Sequence, residues 1–486
     1  MKFYVGDECT ARVRGLGSDG AGVCDAGGFV VFARGVLPGE TVELRLTDVR
    51  TSYARAEATR IVEASPHRAA PACPHFLTCG GCDLMHMPYA EELEYKRRTV
   101  EEAFHRIAGF KDARVEPVAG RQTRLSPDSS LPPAPGPPLR YRNKGQYAYF
   151  DGAFGFYASG THNFTPVGDC LLQNSGNAEI LGFIAEWARG AAAQKPRENT
   201  RGDSIVSAHN DYPKLKNAVI RRGRNTGDIM IVLNYSASNA GIAAKRLSAR
   251  AMENFAAEFR SFAQALADRF AGMRSVSALL DGREITAYGD RYIEERLGPY
   301  SFRVSRGSFF QVNSCMAEVL CESVLDLARV GPDDVVIDLY CGVGAISAYL
   351  ASRAKSALGV ELSESAVGDA RVNADLNGLQ NLTILQGDAE KICEGKTAAG
   401  EVMKNYMRPG AVALDPPRRG CGARAAEALK SIGAPRVVYV SCDPATLARD
   451  SNRLCSGDGA YRIAAIRPID MFPHTANVET LVLFTK

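Results

Sequence analysis

The spacing of hydrophobic and polar residues changes twice along the chain. In residues 1–64, short apolar strands alternate with Gly-rich turns, which predicts about five strands in a small OB-type β-barrel. Residues 65–300 contain strands with alternating aromatic residues, which predict a β-rich central domain. From residue 301 onward, apolar strands alternate with helical patterns, which predicts a doubly wound, mostly parallel sheet. The expected fold class is therefore α/β, with a barrel and a β-rich domain before a Rossmann-like domain.

Two insertions are expected to interrupt the central domain. Residues 121–139 are rich in Pro and Ser, which is typical of a mobile segment. The second insertion covers 190–273, and a long helix is predicted within 238–273. An amphipathic pattern over 90–109 predicts a further helix just before the first insertion.

One turn near the C-terminus carries a candidate nucleophile. The apolar run 437–440 predicts a buried strand, and a helical pattern begins near Pro444. Cys442 therefore follows a strand and precedes a helix, at the sheet edge where open α/β folds bind ligands. A helix N-terminus favours the thiolate, which is the nucleophilic form. Many cysteines are small packing residues, however, and position alone leaves both interpretations open.

A glycine turn and several acids also mark the ends of the predicted strands. Residues 341–345 (CGVGA) contain only part of a dinucleotide-binding motif. Glu361 follows about twenty residues later, the spacing of an acid that holds ribose hydroxyls. Asp388 and Asp415 end the next two strands. The short glycine turn and the acidic edge suit S-adenosylmethionine, which lacks a pyrophosphate, better than NAD. A turn that binds no cofactor would explain the glycines but not the acids.

The stretch 415–420 (DPPRRG) bears on the type of reaction. Enzymes that methylate amino groups often have an aromatic residue after the two prolines, and Arg418 takes that place here. This favours a ring carbon as the target. Carbon 5 of uracil becomes nucleophilic when a thiolate adds to carbon 6, and a base must later remove the carbon-5 proton. Cys442 is the candidate nucleophile and Glu479 the candidate base, with His474 as a competitor.

The cysteine pattern predicts a metal centre. The chain has 13 cysteines, and three of them follow C-x5-C-x2-C in a Pro/Gly-rich loop: Cys73, Cys79 and Cys82. Three thiolates on one loop indicate a soft metal or an iron–sulfur cluster. Cys170 is the candidate fourth ligand of a 4Fe–4S cluster, while His75 and His86 leave zinc as an alternative.

Charge and composition restrict the function less. The net charge is +3, with no signal-peptide pattern and no apolar run long enough to span a membrane, so we expect a cytoplasmic protein without a membrane partner. Two basic stretches, 140–144 and 214–224, contain or adjoin aromatic or apolar strands. They suit phosphates and bases, although charge alone favours a solvated strand face.

These motifs together resemble the RNA uracil-C5 methyltransferase family. The similar branch has an RNA-binding TRAM barrel and a 4Fe–4S cluster, and it modifies bacterial 23S rRNA. The resemblance covers almost the whole chain through colinear motifs, namely CPHFLTCGGC, YRNK, GSFFQVN, DLYCGVG, DPPRRG, YVSCDPATLARD and DMFPHTANVE. It implies a TRAM-like barrel at 1–64, an RNA-binding domain with the cysteine loop at 65–300, and a class I methyltransferase domain at 301–486.

The resemblance also implies roles for individual residues. Cys442 would be the nucleophile and Glu479 the base. Five residues would contact S-adenosylmethionine: Gln311, Tyr340, Glu361, Asp388 and Asp415. The cluster would be held by four thiolates: Cys73, Cys79, Cys82 and Cys170. The target uridine would have to be flipped out or taken from a loop, because its carbon 6 is inaccessible in a helix.

The chain departs from the family pattern without losing a reacting group. Arg306 stands where Pro is frequent, Ala345 replaces Asn or Thr at the glycine turn, and Asp443 stands where Asn is frequent. The expected function is methylation of RNA at uracil carbon 5 by a monomer. 23S rRNA is favoured over tRNA because the simpler tRNA enzymes lack the barrel and the cluster.

Three alternatives remain at this point. The first is a tRNA uracil-C5 methyltransferase with the same mechanism. The second is cytosine-C5 or amino methylation, which is disfavoured because the fourth strand ends in DPP without a thiol. The third is an iron–sulfur RNA-binding sensor with an inactive methyltransferase fold, which predicts that Cys442→Ala leaves function intact.

Overall fold

The computed structural model of the protein describes residues 3–120, 138–193, 213–236, 249–393, 406 and 408–486. Two compact units make up the chain, Met1–Pro138 with Cys315–Lys486, and Leu139–Ser314. These units are defined by contacts between residues and each can combine separate parts of the chain. They therefore do not test the expected domain boundaries at 64/65 and 300/301, which remain a prediction. Most of the insertion at 121–139, and parts of that at 190–273, lie outside the described residues.

The N-terminal strands of the first unit form the predicted barrel. They are β1 (Glu8–Leu16), β2 (Gly22–Ala26), β3 (Phe29–Ala33), β4 (Thr41–Val49) and β5 (Tyr53–Glu63). The barrel is closed, with the strand order β1-β2-β3-β5-β4. Val42, Leu44 and Leu46 of β4 point into the barrel core, as the period of two in a strand requires.

A cysteine-containing loop and a long helix follow the barrel. The loop at 65–88 leads into α1 (Tyr89–Arg106), which confirms the predicted amphipathic helix. One face of α1 is buried at every fourth position, by Glu92, Lys96, Val100 and Phe104. Val100 and Phe104 pack into the core of the C-terminal sheet. The first two positions of this face are therefore charged although they are buried.

The second unit is rich in strands, as predicted. Its strands are β6 (Lys144–Phe150), β7 (Ala153–Tyr157), β8 (Phe164–Pro166), β9 (Lys214–Arg222), β10 (Ile229–Ser236), β11 (Met273–Leu280), β12 (Arg283–Gly289), β13 (Tyr292–Leu297) and β14 (Tyr300–Ser305). The first seven form one sheet in the order β12-β11-β10-β9-β6-β7-β8, and β13 pairs with β14. Two helices, α2 (Gly176–Ala193) and α3 (Ala249–Arg269), contribute aromatic side chains to its core. Helix α3 confirms the predicted helical insert within the residues described.

The C-terminal residues form the predicted doubly wound sheet. Its strands are β15 (Val335–Leu339), β16 (Ser356–Glu361), β17 (Leu382–Gln386), β18 (Ala411–Leu414), β19 (Arg436–Ser441), β20 (Arg462–Ile469) and β21 (Glu479–Thr485). The order is β17-β16-β15-β18-β19-β21-β20, parallel up to β19, with β21 antiparallel to both of its neighbours.

The helices of this part of the chain lie between the strands in sequence. They are α4 (Ser314–Ala328), α5 (Ala345–Ala351), α6 (Glu364–Leu376), α7 (Ala389–Cys393), α8 (Gly422–Ile432) and α9 (Pro444–Leu454). The parallel strands are nearly continuous apolar runs, as expected for a sheet covered on both faces. Among the residues described, no helix is long and apolar enough to cross a membrane.

Candidate active site

Cys442 and Glu479 reach the same edge of the sheet from two antiparallel strands. Cys442 directly follows β19, whereas Glu479 is the first residue of β21. The register of this pair sets Ser441 opposite Thr480. The next residue along β19 and the preceding residue on β21 are Cys442 and Glu479, so the candidate nucleophile and the candidate base meet where the ladder ends.

The turn that carries Cys442 is fixed by its own hydrogen bonds. Oδ1 of Asp443 accepts a hydrogen bond of 2.8 Å from the backbone N–H of Thr446 and thereby caps α9, which has Pro444 in its first turn. The Oγ of Ser441 accepts from the N–H of Asp443 at 3.2 Å. The thiol is therefore presented from a rigid strand-to-helix turn, as the sequence pattern predicts.

The electrostatic surroundings of Cys442 differ from the expectation. Burial raises the pKa of the Cys442 thiol to about 11, and the negative charges of Glu479 and Asp415 act in the same direction. The Arg418 guanidinium opposes them through its charge and a hydrogen bond. These effects outweigh the helix N-terminus that the sequence suggested would favour a thiolate. A pKa of about 11 corresponds to the thiol form of Cys442 at neutral pH.

Glu479 is held as a buried carboxyl group. Its side chain is 2 % exposed, and its Oε1 has no hydrogen-bond partner among the residues described. Burial and the charge of Asp415 raise the pKa of Glu479 well above its usual range, while Arg418 lowers it. Strongly shifted pKa values of this kind are common among the acid–base groups of enzymes.

Arg418 is a functional candidate whose role the sequence did not reveal. It lies in the exposed DPPRRG turn after β18 and acts on the pKa of both Cys442 and Glu479. In the sequence, Arg418 was informative only because it replaces the aromatic residue that often follows the two prolines. Its positive charge favours the ionised form of both groups, and its position beside them depends on the order of strands in the sheet.

His474, the competing candidate for the base, lies beside α1. Its backbone N–H donates a hydrogen bond of 2.6 Å to Oε1 of Glu92, and its Nδ1 is 3.4 Å from Oε2 of the same residue. The side chain is buried. His474 lies in the loop before β21 and is not part of the β19–β21 ladder, whose end carries Cys442 and Glu479.

The glycine turn after β15 is tied to Glu361. The backbone N–H of Gly342 donates a hydrogen bond of 3.0 Å to Oε2 of Glu361, and the N–H of Ser363 donates to Oε1 at 2.8 Å. Tyr340 has a φ of 63°, and Gly344, with a φ of 86°, precedes α5. These left-handed residues turn the chain sharply from strand to helix and leave the Glu361 carboxylate at the strand end.

The other predicted acids follow the neighbouring strands. Asp388 follows β17, and its Oδ1 accepts a hydrogen bond of 3.0 Å from the N–H of Glu390. Asp415 follows β18, and its N–H donates to the carbonyl of Leu339. Both are partly exposed. Asp388, Glu361 and Asp415 thus lie at the carboxyl ends of parallel strands of one sheet, whereas Gln311 belongs to the second compact unit and its cofactor role remains a prediction.

Asp338 is an acid of this region that the sequence analysis missed. It lies within β15, is 2 % exposed, and accepts a hydrogen bond of 2.5 Å from Oγ of Ser347 at Oδ2. Its Oδ1 has no hydrogen-bond partner among the residues described. Burial and the negative charges of Asp415 and Glu361 raise the pKa of Asp338 to about 7. The available signal was an acid within the otherwise apolar strand VVIDL.

Comparison with known proteins decides the family. A family model described as tRNA (uracil-5-)-methyltransferase matches residues 253–486, and a TRAM domain model matches residues 2–59. An uncharacterized RNA methyltransferase of Halalkalibacterium halodurans is 32% identical over 482 residues, with 98% of this chain and 96% of the relative covered. Another from Caldanaerobacter subterraneus is 30% identical, with 99% of both chains covered.

The chain belongs to the tRNA (uracil-5-)-methyltransferase family. It is a methyltransferase with an N-terminal TRAM domain, as the resemblance implied. The fold is also that of a solved structure, the Pyrococcus abyssi tRNA (uracil-54, C5)-methyltransferase in complex with S-adenosyl-L-homocysteine. That structure has a TM-score of 0.68 and 23% sequence identity, and the alignment covers 98% of this chain and 99% of the other.

The cysteine loop of the methyltransferase presents partly exposed thiols. Cys73, Cys79 and Cys82 are all of intermediate exposure, and the loop is held by the rings of Phe76 and His86, whose centroids are 5.2 Å apart. Thiolates on one loop suit a soft metal chemically. Within the described ranges, however, no three His, Cys, Asp or Glu side chains are grouped so that they could hold a metal ion. The ligand set with Cys170 therefore remains a prediction.

The zinc alternative finds no support at His86. This ring is buried, and burial lowers the pKa of His86 to about 4. Its Nε2 is 3.4 Å from the carbonyl oxygen of Val36 in the barrel. His86 therefore serves packing between the loop and the barrel, and His75 is the remaining histidine of the loop.

The basic stretch 214–224 is partly internal in the methyltransferase. Arg221 is buried and donates hydrogen bonds to the carbonyls of Ser305 and Ser308 at 3.1 and 3.0 Å. Arg222 is half-buried and donates to Oδ1 of Asn177 at 2.7 Å. The solvated strand face that charge alone favoured is therefore wrong for these two arginines, because backbone carbonyls and an amide satisfy their guanidinium groups inside the second unit.

A cleft within the first unit leads to Cys442. Its volume is about 990 Å³, and its walls come from the barrel, α1 and the turns at 442–445 and 476–478. Charged side chains of both signs line it together with Tyr95, and Arg98 in its wall is paired with Glu94 at 2.8 Å. The cleft is large enough for a nucleotide with its neighbours, and Cys442 forms part of its wall.

Proposed function

We propose that this methyltransferase transfers a methyl group from S-adenosylmethionine to carbon 5 of a uridine in RNA. Cys442 adds to carbon 6 of the base, and Glu479 removes the proton from carbon 5. The observation that supports the proposal is the β19–β21 register, because it ends with Ser441 opposite Thr480, so that a thiol and a buried carboxyl group lie at one sheet edge. A structural role would not require that pairing of chemically complementary groups.

The residues around the glycine turn fit S-adenosylmethionine. Glu361 has a carboxylate at a parallel strand end, where ribose hydroxyls are commonly bound. Asp338 has a buried oxygen without a partner among the described residues, and Asp388 and Asp415 add negative charge that complements a sulfonium. When bound, the cofactor supplies an electrophilic methyl group on sulfur. Tyr340 and Gln311 are proposed as further contacts.

The chain's own residues then account for each change at the uracil ring. Cys442 gives its proton to water and its sulfur forms a bond to carbon 6, which places the electron pair of the 5,6 double bond on carbon 5 and the carbonyl oxygen. That pair would form the new bond from carbon 5 to the methyl group as the bond from the methyl group to the cofactor sulfur breaks and S-adenosylhomocysteine leaves. Glu479 accepts the carbon-5 proton, the double bond returns, and the bond from carbon 6 to sulfur breaks.

The electrostatics of the site match the order of these steps. Arg418 stabilises the Cys442 thiolate before addition, and it also favours the Glu479 carboxylate that must accept a proton. The negative charges of the Cys442 thiolate and the Glu479 carboxylate disfavour each other. Once the sulfur is bonded to carbon 6, its charge has moved into the ring, so Glu479 can ionise at less cost.

The test uses RNA containing 5-fluorouridine, from which no carbon-5 proton can be removed. We expect the wild-type protein with S-adenosylmethionine to form a covalent adduct that carries one methyl group, detected by mass spectrometry at Cys442. Cys442→Ala should form none, and Glu479→Gln should still form it. Absence of an adduct with both rRNA and tRNA would refute the mechanism. Function retained by Cys442→Ala would favour the RNA-binding sensor instead.

We propose 23S rRNA as the substrate and tRNA as the alternative. The TRAM domain is consistent with a large structured RNA, and the cleft beside the barrel leads to Cys442. The solved relative is described as acting on uracil-54 of tRNA, and at 23% identity it supports the fold alone. Methylation of 23S rRNA fragments and of tRNA transcripts, compared at equal concentration, distinguishes the two substrates.

We propose that the acting species is a monomer, which light scattering tests.

We propose further that Cys73, Cys79, Cys82 and Cys170 hold a 4Fe–4S cluster. The support is the C-x5-C-x2-C spacing together with the partial exposure of all four thiols. No step of the methyl transfer depends on the cluster. Anaerobically purified protein should be brown and contain about four iron and four sulfide per chain. Cys73→Ser should lose them, and stoichiometric zinc in the wild type would refute the assignment.

A further inference from the structure

The loop at 470–478 is anchored by a buried lysine of α1. This loop connects β20 to β21 and ends at Glu479. Lys96 Nζ donates hydrogen bonds of 2.6 Å to Oδ1 of Asp470 and 3.1 Å to the carbonyl of Phe472. The hydroxyl of Tyr89 donates to Oδ2 of Asp470 at 2.6 Å. Both carboxylate oxygens at the start of the loop are thus held by α1.

Glu92, one helical turn before Lys96, holds the middle of the same loop. Its Oε1 accepts hydrogen bonds of 2.7 Å from Lys96 Nζ and 2.6 Å from the backbone N–H of His474. His474 has a φ of 66°, a conformation that non-glycine residues adopt only when their surroundings impose it. The Glu92 carboxylate is therefore bonded to the backbone at the strained point of the loop.

The cysteine loop contacts the opposite side of this point. The carbonyl of His474 accepts hydrogen bonds from the N–H groups of Asp83 and Leu84 at 2.9 and 3.1 Å. Oδ2 of Asp83 accepts from the N–H of Ala476 at 3.1 Å. The backbone around His474 is thus bonded on both sides, three to five residues before Glu479.

The burial of these charges argues for a role in geometry. The side chains of Glu92, Lys96 and Asp470 are completely buried. A buried ion pair is often no more stabilising than packed apolar side chains of similar volume. The same face of α1 continues with Val100 and Phe104, so apolar residues fit it elsewhere. On this buried face of α1, the charged residues are the two that meet the 470–478 loop, and their hydrogen bonds fix both the distance and the orientation of the loop backbone.

We propose that Glu92 and Lys96 are positioning residues that hold the 470–478 loop so that Glu479 faces the adduct on Cys442. The proposal rests on the proposed function. It concerns the second half of the reaction, because the Cys442 turn has its own cap at Asp443 and does not depend on Glu92. Loss of Glu92 should therefore slow removal of the carbon-5 proton more than addition of the thiolate.

The test separates the two halves of the reaction in Glu92→Gln. Adduct formation on 5-fluorouridine RNA reports addition and methyl transfer, whereas turnover on uridine RNA also requires proton removal. We expect turnover to fall at least about tenfold, because small misplacements of a reacting group carry large rate penalties. Adduct formation should change less than about twofold, and a methylated covalent complex should accumulate on uridine RNA, as expected for Glu479→Gln.

Controls distinguish positioning from general destabilisation. Glu101→Gln alters the partly exposed partner of Arg97 on the same helix and should leave both measurements unchanged. If Glu92→Gln does not fold, as judged by thermal unfolding, Tyr89→Phe removes the hydrogen bond to Oδ2 of Asp470 and should give a smaller effect of the same kind. Equal losses in both assays, or no loss in a folded variant, would overturn the proposal. A wild-type protein without any adduct would instead refute the proposed function.

Discussion

The backbone N–H of Gly342 donates a hydrogen bond to the carboxylate of Glu361 at 3.0 Å, which joins the glycine turn after β15 to the end of β16. The second carboxylate oxygen accepts from Ser363. The glycine turn and the end of β16 are therefore held together by the carboxylate of Glu361. A ligand that hydrogen-bonds to Glu361 is brought against the backbone of the glycine turn.

Replacement of Glu361 by Gln should weaken binding of S-adenosylmethionine. A carboxylate can accept both ribose hydroxyls, whereas an amide offers one acceptor, and hydrogen bonds to charged groups contribute about 1.5–3 kcal/mol. We expect the Kd for S-adenosylhomocysteine in calorimetry to rise about 10- to 100-fold. The exposed Glu364 at the start of α6 provides the control, since Glu364→Gln should bind normally. Equal affinities of all three proteins would contradict this assignment.

The reactivity of Cys442 should respond in opposite directions to changes in its two charged neighbours. Arg418→Gln removes a positive charge and should raise the thiol pKa above about 11, so alkylation by iodoacetamide at pH 8 slows. Glu479→Gln removes a negative charge and should lower that pKa, so alkylation accelerates. The rate at Cys442 is measured by mass spectrometry across pH 7–10. Arg424→Gln, on the exposed side of α8, should react like wild type, and shifts of the same sign in both variants would contradict the assignment.

The stability of Glu479→Gln relative to wild type should increase with pH. The pKa of Glu479 is raised in the folded protein, so the folded state keeps a proton that the unfolded state releases near its usual pKa of 4.5. Between those two pKa values the folded state binds more protons, and wild-type stability falls as pH rises. Gln cannot ionise and avoids this loss.

The size of this effect is bounded by one proton. The difference in unfolding free energy should grow by up to about 1.4 kcal/mol per pH unit above pH 5. Thermal unfolding at pH 5.5 and pH 8 measures it as a Tm difference that favours the variant at pH 8. The exposed Glu427→Gln should show no such trend. A constant difference at both pH values would show that Glu479 is ionised in the folded protein.

Gly420 should be much less tolerant of alanine than Gly457, although both have left-handed backbones with φ of 80° and 75°. A methyl group at Gly420 would overlap Oδ2 of Asp450 and approach Cγ2 of Thr446. The nearest atom to a methyl group at Gly457 is Nζ of Lys430, at 3.9 Å.

Alanine at Gly457 should therefore cost only the backbone penalty of about 1–2 kcal/mol. Alanine at Gly420 should cost about 2 kcal/mol more, since the overlap must displace the N-terminal turn of α9. Denaturant unfolding measures both. Because the Cys442 turn leads into α9, adduct formation should also slow in Gly420→Ala alone. Equal destabilisation by Gly420→Ala and Gly457→Ala would show that the left-handed backbone alone causes the loss of stability.

The local sequence pattern was sufficient to predict the strands and helices but not which strands pair with one another. The apolar run before Cys442 and the Pro444 helix start are local features, and the structure has both. The pairing of Ser441 with Thr480 depends on β21 lying between β19 and β20, which no local periodicity contains. The thiol pKa was misjudged for the same reason, because burial and Glu479 act from residues distant in sequence.

Charge in a strand was also a poor guide to exposure. Arg221 belongs to a run of basic residues that reads as a solvated or RNA-facing surface, but carbonyls of 305 and 308 satisfy its guanidinium inside the second unit. Asp338 shows the converse, since a single acid in an apolar strand gives little local signal, and its environment is set by the hydrogen bond from Ser347. Both outcomes depend on where distant backbone groups lie.

The ion pair between Lys96 and Asp470 has a consequence for how the protein folds. Its two residues are 374 positions apart in the chain. Contacts of such long range form slowly, because a large loop must close before the contact can stabilise the structure. The barrel and the individual strand–helix units can form earlier from local contacts. The Lys96–Asp470 contact therefore forms late, and a chain that has formed only its local structure lacks this anchor of the 470–478 loop.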